Sequence, residues 1–278
     1  MQSAVILPAL NEAATVGQVV RSLRALFCGR ILVIDDGSTD GTAAVAMAAG
    51  AEVLSHPQNL GYGAALMTGF RECTEDGAQI IACMDADGQH DARFLPTLCK
   101  ALMEDSSIGI ALASRYHPLA ARETPAPRET ELWARFTSEL FAAITGLRIA
   151  DFFGGMYAVR AGFLSQAVLT EPGYEFPINL WFECARLGVR VTEIPGGLRY
   201  LDLSRDFKGQ YSSKEARARR FIERFLFHLE RCARAGREGW LDGLDQKVDG
   251  VLARACYAPL VAHLKPFRAC LAEFAPTP

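Results

Sequence analysis

RILVIDDGSTDGT, residues 30–42, passes from a short apolar run into a turn crowded with carboxylates, hydroxyls and glycine. A run this short, rich in β-branched side chains and bounded by turn residues, reads as a strand buried on both faces. The turn has its own local reasons: Gly37 permits a tight bend, and Ser38 to Asp40 are residue types that cap a following helix. The same alternation extends along the chain. Apolar runs AVIL (4–7), AEVLS (51–55), QIIACM (79–84) and IGIALA (108–113) are separated by helical periodicity near 13–27, 40–48, 62–73 and 91–103. Strand and helix in regular succession predict a parallel sheet with right-handed crossovers. Such sheets bind ligands outside the carboxyl ends of their strands, so the polar residues following each strand are the ones to inspect.

Downstream, HPLAARETPAPRET (117–130) is a Pro-containing polar stretch, long for a simple connection. A helix near 130–145, the Gly-containing segment DFFGGMYAV (151–159), a helix near 175–187 and a strand VTEIP (191–195) follow. Beyond 205 the pattern is helical, broken at Gly236, Gly239 and Pro259, and a soft boundary near 205 divides the chain into 1–204 and 205–278. The 278 residues are 50% hydrophobic and 22% charged, with 29 basic residues against 32 acidic. That length can bury a sizeable core, and the balance excludes a disordered chain, a collagenous repeat and a generally basic nucleic-acid binder. The start, MQSAVILPALNEA, lacks the features of a signal peptide, and no apolar stretch approaches the roughly 20 residues of a membrane span. A soluble or peripheral protein of the cytoplasm is expected. Its eight cysteines include no C-x-x-C and read as reduced thiols, and its five histidines form no zinc spacing.

Three polar clusters close predicted strands. In DDGSTDGT (35–42), paired carboxylates at a strand end suit the hydroxyls and base edge of a nucleoside, although a capped turn has the same composition. PALNEA (8–13) ends the first strand, with neither the G-x-G-x-x-G of a dehydrogenase nor the Gly-rich basic loop of a nucleotidyltransferase. In MDADGQH (84–90), Asp85 and Asp87 lie two apart, so their side chains point the same way in extended chain, and Gly88 lets the chain turn. Such a pair can hold a hard cation, Mg2+ or Mn2+, with Gln89 or His90 as a further ligand and diphosphate oxygens and water completing the shell. D-x-D is common in turns, but three such clusters at the ends of one sheet are a more specific signal. Gly61-Tyr62-Gly63-Ala64 superficially matches a dinucleotide fingerprint, yet lacks its third small residue and follows the wrong strand; the lead-in to a helix is the simpler reading.

LPALNEA, VIDDGSTDGT, NLGYGAALMTGF, DADGQH, SRY and DFFGGMYAVR occur in the order found in family 2 glycosyltransferases, which the chain resembles over roughly residues 4–200. The resemblance implies the GT-A fold: an α/β, Rossmann-like, mostly parallel sheet flanked by helices, here with a C-terminal helical extension. DADGQH and SRY are most similar to polyprenol-phosphate sugar transferases. By that resemblance Pro8, Ala9, Asn11, Glu12 and Asp36 line the nucleoside pocket, Asp85 and Ala86 lie under the ribose and diphosphate, and Asp85, Asp87 and Gln89 surround a Mg2+ or Mn2+. The reaction it implies is inverting transfer of a sugar from a nucleoside-diphosphate donor to a polyprenyl phosphate.

A cation held by Asp87 neutralises charge that develops on the leaving diphosphate. A hydroxyl acceptor needs a general base. A phosphate monoester does not, since its second pKa is about 6. The family's acceptor base often reads Glu-Asp; GYEFPINLW (173–181) shows no such pair, which favours a phosphate acceptor and leaves Glu175 or Asp151 as base if the acceptor is a hydroxyl. Guanidinium groups suit an anionic acceptor, and Arg115, which follows IGIALA directly, is the first candidate. Arg135 with Ser138 on the next helix, and Arg205, are the others. Residues 205–237 carry ten Lys or Arg against four acids, and on a helical wheel Ile222, Phe225, Leu226, Leu229 and Cys232 oppose Arg217, Arg220, Arg224 and Arg231. Either a solvated basic face or a peripheral contact with anionic lipid, at the inner face of the membrane, fits that pattern. Nucleic acid is not an expected partner. A hydroxyl acceptor on a glycan, protein or small molecule, and a noncatalytic nucleotide-sugar-binding protein, are the competing readings.

Overall fold

The computed structural model describes residues 2–120, 128–197, 214–254 and 256–257. Its elements are β1 (Ser3–Ala9), α1 (Val16–Leu26), β2 (Arg30–Asp35), α2 (Thr42–Ala48), β3 (Glu52–Ser55), α3 (Tyr62–Glu75), β4 (Ile80–Cys83), α4 (Leu95–Glu104), β5 (Ile108–Ser114), α5 (Arg128–Thr145), β6 (Tyr157–Arg160), α6 (Ala161–Leu164), α7 (Phe176–Leu187), β7 (Arg190–Pro195), α8 (Lys214–Cys232) and α9 (Leu244–Leu252). The strands form one sheet in the order β3-β2-β1-β4-β6-β5-β7. All neighbours are parallel except β6, which runs antiparallel to both β4 and β5.

Period-2 alternation decides which core each strand residue joins. On β1, Ala4 and Ile6 face a cluster shared with α3, α5, α7 and α8, while Val5 and Leu7 face a second cluster with α1 and α4. Both faces are covered, which is why the strands read as continuous apolar runs. Helix α1 buries Val16, Val19, Val20 and Leu23, one face at helical spacing. Helix α7 starts with Pro177 in its first turn and ends on Gly188 in the left-handed conformation (φ 66°), the Pro-in, Gly-out asymmetry of helix ends. It is buried almost all round, because α8 covers the side that the sheet does not.

The apolar stripe predicted on the C-terminal helix is the packed side. Ile222, Phe225, Leu226, Leu229 and Cys232 of α8 are each at most 4% exposed and belong to the same core cluster as the sheet, and Phe225 meets Phe182 of α7 edge-on with ring centroids 5.0 Å apart. Val248 and Val251 of α9 join that cluster too. Among the described residues no helix is long and apolar enough to cross a membrane.

The sequence pattern predicts no strand within DFFGGMYAV, whereas the structure makes Tyr157–Arg160 the antiparallel strand β6. Its four residues are too few to show a period, and an antiparallel insertion breaks the βαβ rhythm from which the others are read. The insertion changes what reaches the ligand-binding edge of the sheet. Parallel strands bring their exits to the carboxyl rim, whereas β6 brings its lead-in there: Tyr157 pairs with Cys83 and Leu112 near the ends of β4 and β5. Residues 151–156 therefore arrive at the rim from the opposite direction.

Candidate active site

Three turns meet at the rim formed by β1, β2 and β4. The turn after β1 is stitched to the turn after β2: Asn11 N–H donates to Ser38 Oγ (2.8 Å), Glu12 N–H to Thr42 Oγ1 (2.8 Å) and Ala13 N–H to Asp40 Oδ2 (3.0 Å), while Thr39 N–H donates to Asn11 Oδ1 (2.9 Å). Asn11 has φ 57°, and among the described residues no other non-glycine has positive φ. Asn is one of the few residue types that adopt this conformation at low cost, and its side chain accepts the hydrogen bond that holds the turn. The Thr42 hydroxyl, with the Thr42 and Ala13 N–H groups, holds the Asp40 carboxyl below its usual range. Pro8 and Ala9 are buried at the end of β1, Asn11 is exposed and Glu12 half-buried, so only the last two present side chains at the surface.

The two acids of DDGSTDGT are both interior groups, Asp35 5% and Asp36 3% exposed. Asp35 accepts from Ser38 N–H (3.1 Å) and Ser55 Oγ (3.0 Å). Asp36, expected in the nucleoside pocket, accepts from Leu60 N–H (2.9 Å) and Gly61 N–H (2.8 Å), with His56 Nδ1 at 2.7 Å. Its carboxylate holds the segment that leads into α3. This is a structural task that the sequence pattern does not assign to it.

The chain leaving β4 supplies Asp85, Ala86 and Asp87. Asp85 Oδ1 accepts from the Tyr62 hydroxyl (3.1 Å), and His90 Nε2 lies 3.2 Å from Oδ2. Ala86 is buried, and Asp87 Oδ1 accepts from Gln89 N–H (2.9 Å). Burial raises the Asp87 carboxyl above its usual range and the neighbouring Asp85 raises it further, against an opposing effect of Gln89 N–H and His90. Burial, with Asp85 beside it, also pushes the Tyr62 phenol well up, so Tyr62 is a hydrogen-bond donor.

Two neighbouring half-buried carboxylates suit a hard cation, whose charge offsets the repulsion between them. The opposite wall supports the fit. Gly155, on the lead-in to β6, lies so close that a Cβ there would overlap Asp85 Oδ2 and stand 3.1 Å from His90 Nε2. Among the described residues no group of three or more His, Cys, Asp or Glu side chains is arranged to hold an ion by itself. Asp85 and Asp87 would hold a cation on one side, with the remaining positions open to ligand oxygens and water. Gln89 is half-buried next to them.

The acceptor candidates are distributed differently from the sequence expectation. Arg115, which follows β5, is clamped by Asp151: its backbone N–H and Nε both donate to Oδ2 at 2.8 Å and Nη2 donates to Oδ1 at 2.6 Å. The Asp151 side chain is 0% exposed, and Glu193 on β7 accepts from the N–H groups of Ala150 (3.0 Å) and Asp151 (3.1 Å). Glu175 is 5% exposed at the start of α7, with Arg220 Nε 3.6 Å away. Both candidate bases are thus buried partners of arginines. Arg135 on α5 is exposed, and Ser138 one turn on donates to Ile149 O, joining α5 to the segment that leads into Asp151. Arg205 lies outside the described residues.

Sequence patterning also misses what the arginines of α8 and the glycines of α3 do. Arg224 Nε donates to Glu171 Oε2 (2.5 Å) and Arg231 Nη2 to Glu183 Oε1 (2.8 Å), with both glutamates buried. Arg220 reaches both Glu171 and Glu175. At Arg220, Arg224 and Arg231 this flank of α8 is an ion-pair seam against buried glutamates rather than a solvated face, one of the two readings its sequence offered. Gly61 and Gly63 are lined by the carbonyls of Pro172 and Glu171, which a Cβ at either position would overlap, and Ala64 N–H donates to Pro172 O (3.0 Å). The G-x-G spacing serves the docking of α3 on residues 171–172. Neither feature has a signal in the sequence without knowing which loop faces which helix.

The chain is similar to known proteins in both sequence and fold. The family model described as glycosyl transferase family 2 matches residues 4–166. An undecaprenyl-phosphate mannosyltransferase of Micrococcus luteus is 32% identical over 206 residues, 70% of this chain and 82% of that one. A polyprenol monophosphomannose synthase of Mycolicibacterium smegmatis is 30% identical over 69% of this chain and 75% of its own length. Among solved structures, glucosyl-3-phosphoglycerate synthase from Mycobacterium tuberculosis, in complex with Mn2+, UDP-glucose and phosphoglyceric acid, superposes with a TM-score of 0.63 at 26% identity, covering 84% of this chain and 80% of that one.

Proposed function

The chain belongs to glycosyl transferase family 2 and is a glycosyltransferase, and from that premise we propose that it moves a sugar, with inversion, from a nucleoside-diphosphate donor to a polyprenyl phosphate, using Mg2+ or Mn2+. The donor half of the reading rests on Asp85 and Asp87 at the end of β4, with Asn11 and Glu12 on the adjoining turn. A bound cation supplies Lewis-acid neutralisation of the departing diphosphate. Asp85 and Asp87 would hold it there, and the wall at Gly155 leaves Asp85 its place.

The observation that carries the acceptor half is the state of the two candidate bases. Asp151 is clamped to Arg115, and Glu175 is buried beside Arg220. Both carboxylates are buried and turned onto arginines, so neither is set within reach of an acceptor hydroxyl's proton. A phosphate acceptor needs no such group, because it arrives already ionised. Two of the relatives, named for undecaprenyl phosphate and for polyprenol monophosphomannose, point the same way. Arg135, exposed on α5, is the candidate contact for the lipid phosphate, and the work would take place at a membrane surface.

A second reading keeps the donor chemistry and places a small phosphorylated acceptor with a hydroxyl nucleophile, as the structural neighbour with phosphoglyceric acid suggests. Glu175 is then the base. The experiment gives the protein UDP- and GDP-sugars with Mn2+ or Mg2+ and offers polyprenyl phosphate in mixed micelles, 3-phosphoglycerate, or neutral sugars. Metal-dependent transfer to the lipid that is lost in Asp87→Asn and kept in Glu175→Gln supports the first reading. Transfer only to a soluble hydroxyl, abolished in Glu175→Gln, replaces it with the second.

A further inference from the structure

We propose that Tyr62 is a positioning residue for Asp85, and that the surface which fixes it is the 171–175 segment pinned by the C-terminal helix; this rests on the proposed donor site. Tyr62 opens α3, and its hydroxyl donates to Asp85 Oδ1 at 3.1 Å. With His90 Nε2 3.2 Å from the other oxygen, the Asp85 carboxylate is held from both sides, which sets its plane before any ligand arrives. Asp85 stands beside Asp87, and two like charges left to themselves turn apart. A donor held in place keeps Asp85 aimed at the rim without a cation to draw it there. Preorganisation of this kind is what separates a usable ligand set from one about 1 Å too loose.

The ring of Tyr62 is itself held. It stacks on Tyr174, with centroids 5.9 Å apart and planes inclined by 18°. Its flanking glycines press against the carbonyls of Pro172 and Glu171, and Ala64 N–H donates to Pro172 O. Those carbonyls are fixed in turn by the Glu171 side chain, buried with Arg224 Nε at 2.5 Å and His228 Nε2 at 3.3 Å. A continuous line of contacts therefore runs from α8 through Glu171, the 171–174 backbone and the two tyrosine rings to Asp85. Tyr174 is half exposed, so its aromatic face is also within reach of solvent, and the test must separate a direct contact with ligand from action through Tyr62.

The test titrates Mn2+–UDP and Mn2+–GDP calorimetrically into the full chain, Tyr62→Phe, Tyr174→Leu and the double variant, with thermal unfolding of each. Tyr62→Phe removes one oxygen and keeps the stack. Loss of a hydrogen bond to a charged group predicts about tenfold weaker uptake of whichever nucleotide the wild type takes, with Tm unchanged. Tyr174→Leu is expected to weaken uptake several-fold in the Tyr62 background and to add nothing to Tyr62→Phe. Wild-type affinity in Tyr62→Phe overturns the proposal. So does a Tyr174→Leu penalty of equal size in both backgrounds, which would make Tyr174 a direct contact. Failure of the wild type to bind either complex overturns the donor-site reading itself, and the inference falls with it.

Discussion

Gly155→Ala adds one carbon to the wall opposite Asp85, and its effect can be worked from the geometry. The new Cβ would overlap Asp85 Oδ2 and stand 3.0 Å from Asp85 Cγ and 3.1 Å from His90 Nε2. Comfortable contact at these atoms is about 3.5 Å, so the carboxylate must retreat by roughly 1 Å. Gly155 is not among the positive-φ glycines, so alanine meets no backbone penalty. The Asp85 side chain is 30% exposed and can swing outward without disturbing the core. The expected result is a protein that melts within a few degrees of wild type but has lost its aim. A misplacement near 1 Å costs on the order of 100-fold in turnover, about 2.7 kcal/mol in the barrier. The assay is metal-dependent donor turnover, with Mn2+–nucleotide titration and thermal unfolding on the same sample. Gly162→Ala is the control, at a position where an added Cβ meets nothing within 4 Å. Wild-type turnover in Gly155→Ala would refute the reasoning, since Asp85 would then not need its observed place. A collapse in Tm would refute it differently, by making Gly155 a packing residue.

Two more outcomes are expected from the buried charges. Asp151→Asn removes the buried carboxylate that takes three hydrogen bonds from Arg115, and should cost about 3–5 kcal/mol in urea unfolding; a loss below about 1 kcal/mol would show that the pair does not hold the rim together. His228 lies against Glu171, with Arg224 and Arg231 also acting on it, and burial holds its pKa below the ordinary 6.5, Glu171 opposing in part. The unfolded chain therefore takes up this proton at a higher pH than the folded one. The stability His228 contributes is present above about pH 6.5 and lost as pH falls through its lower folded value. Glu171, kept below its usual range because hydrogen bonds from His228 and Arg224 outweigh its burial, adds a further loss at more acid pH. Melting temperatures should fall between about pH 7.5 and 5.5, and His228→Gln should flatten that slope; a wild-type Tm that rises on acidification would contradict the assignment.

The meeting of three polar turns at the rim of β1, β2 and β4 was legible because its signals are local. A strand end, a Gly turn and carboxylates two apart lie within a dozen residues of one another, and parallel topology alone carries three such stretches to one edge. Strand β6 was not legible, since its four residues have no period of their own and its pairing depends on β4 and β5, each more than 40 residues away. The arginines of α8 misled for a related reason. A helical wheel finds the apolar stripe, and the structure buries that stripe, but no wheel shows Glu171 and Glu183 waiting on a neighbouring segment. Asp36 shows the converse, a residue at the rim whose immediate partners, the N–H groups of Leu60 and Gly61, lie 24 and 25 residues further on, an approach that no local pattern shows. Arg115 and Asp151 were each singled out for separate roles, and only the arrival of the β6 lead-in at the rim shows them to be one clamp.

The seam between α7 and α8 sets how the chain can be shortened. Residues 205–278 look detachable, yet removing them would strip the apolar cover supplied by Ile222, Phe225 and Leu229 and leave the carboxylates of Glu171 and Glu183 deprived of Arg224 and Arg231. A truncated catalytic fragment would therefore start life with Glu171 an orphaned anion in its interior, Glu183 keeping only Arg186 of its arginines, and an oily scar on its flank, prone to clump before it could be assayed.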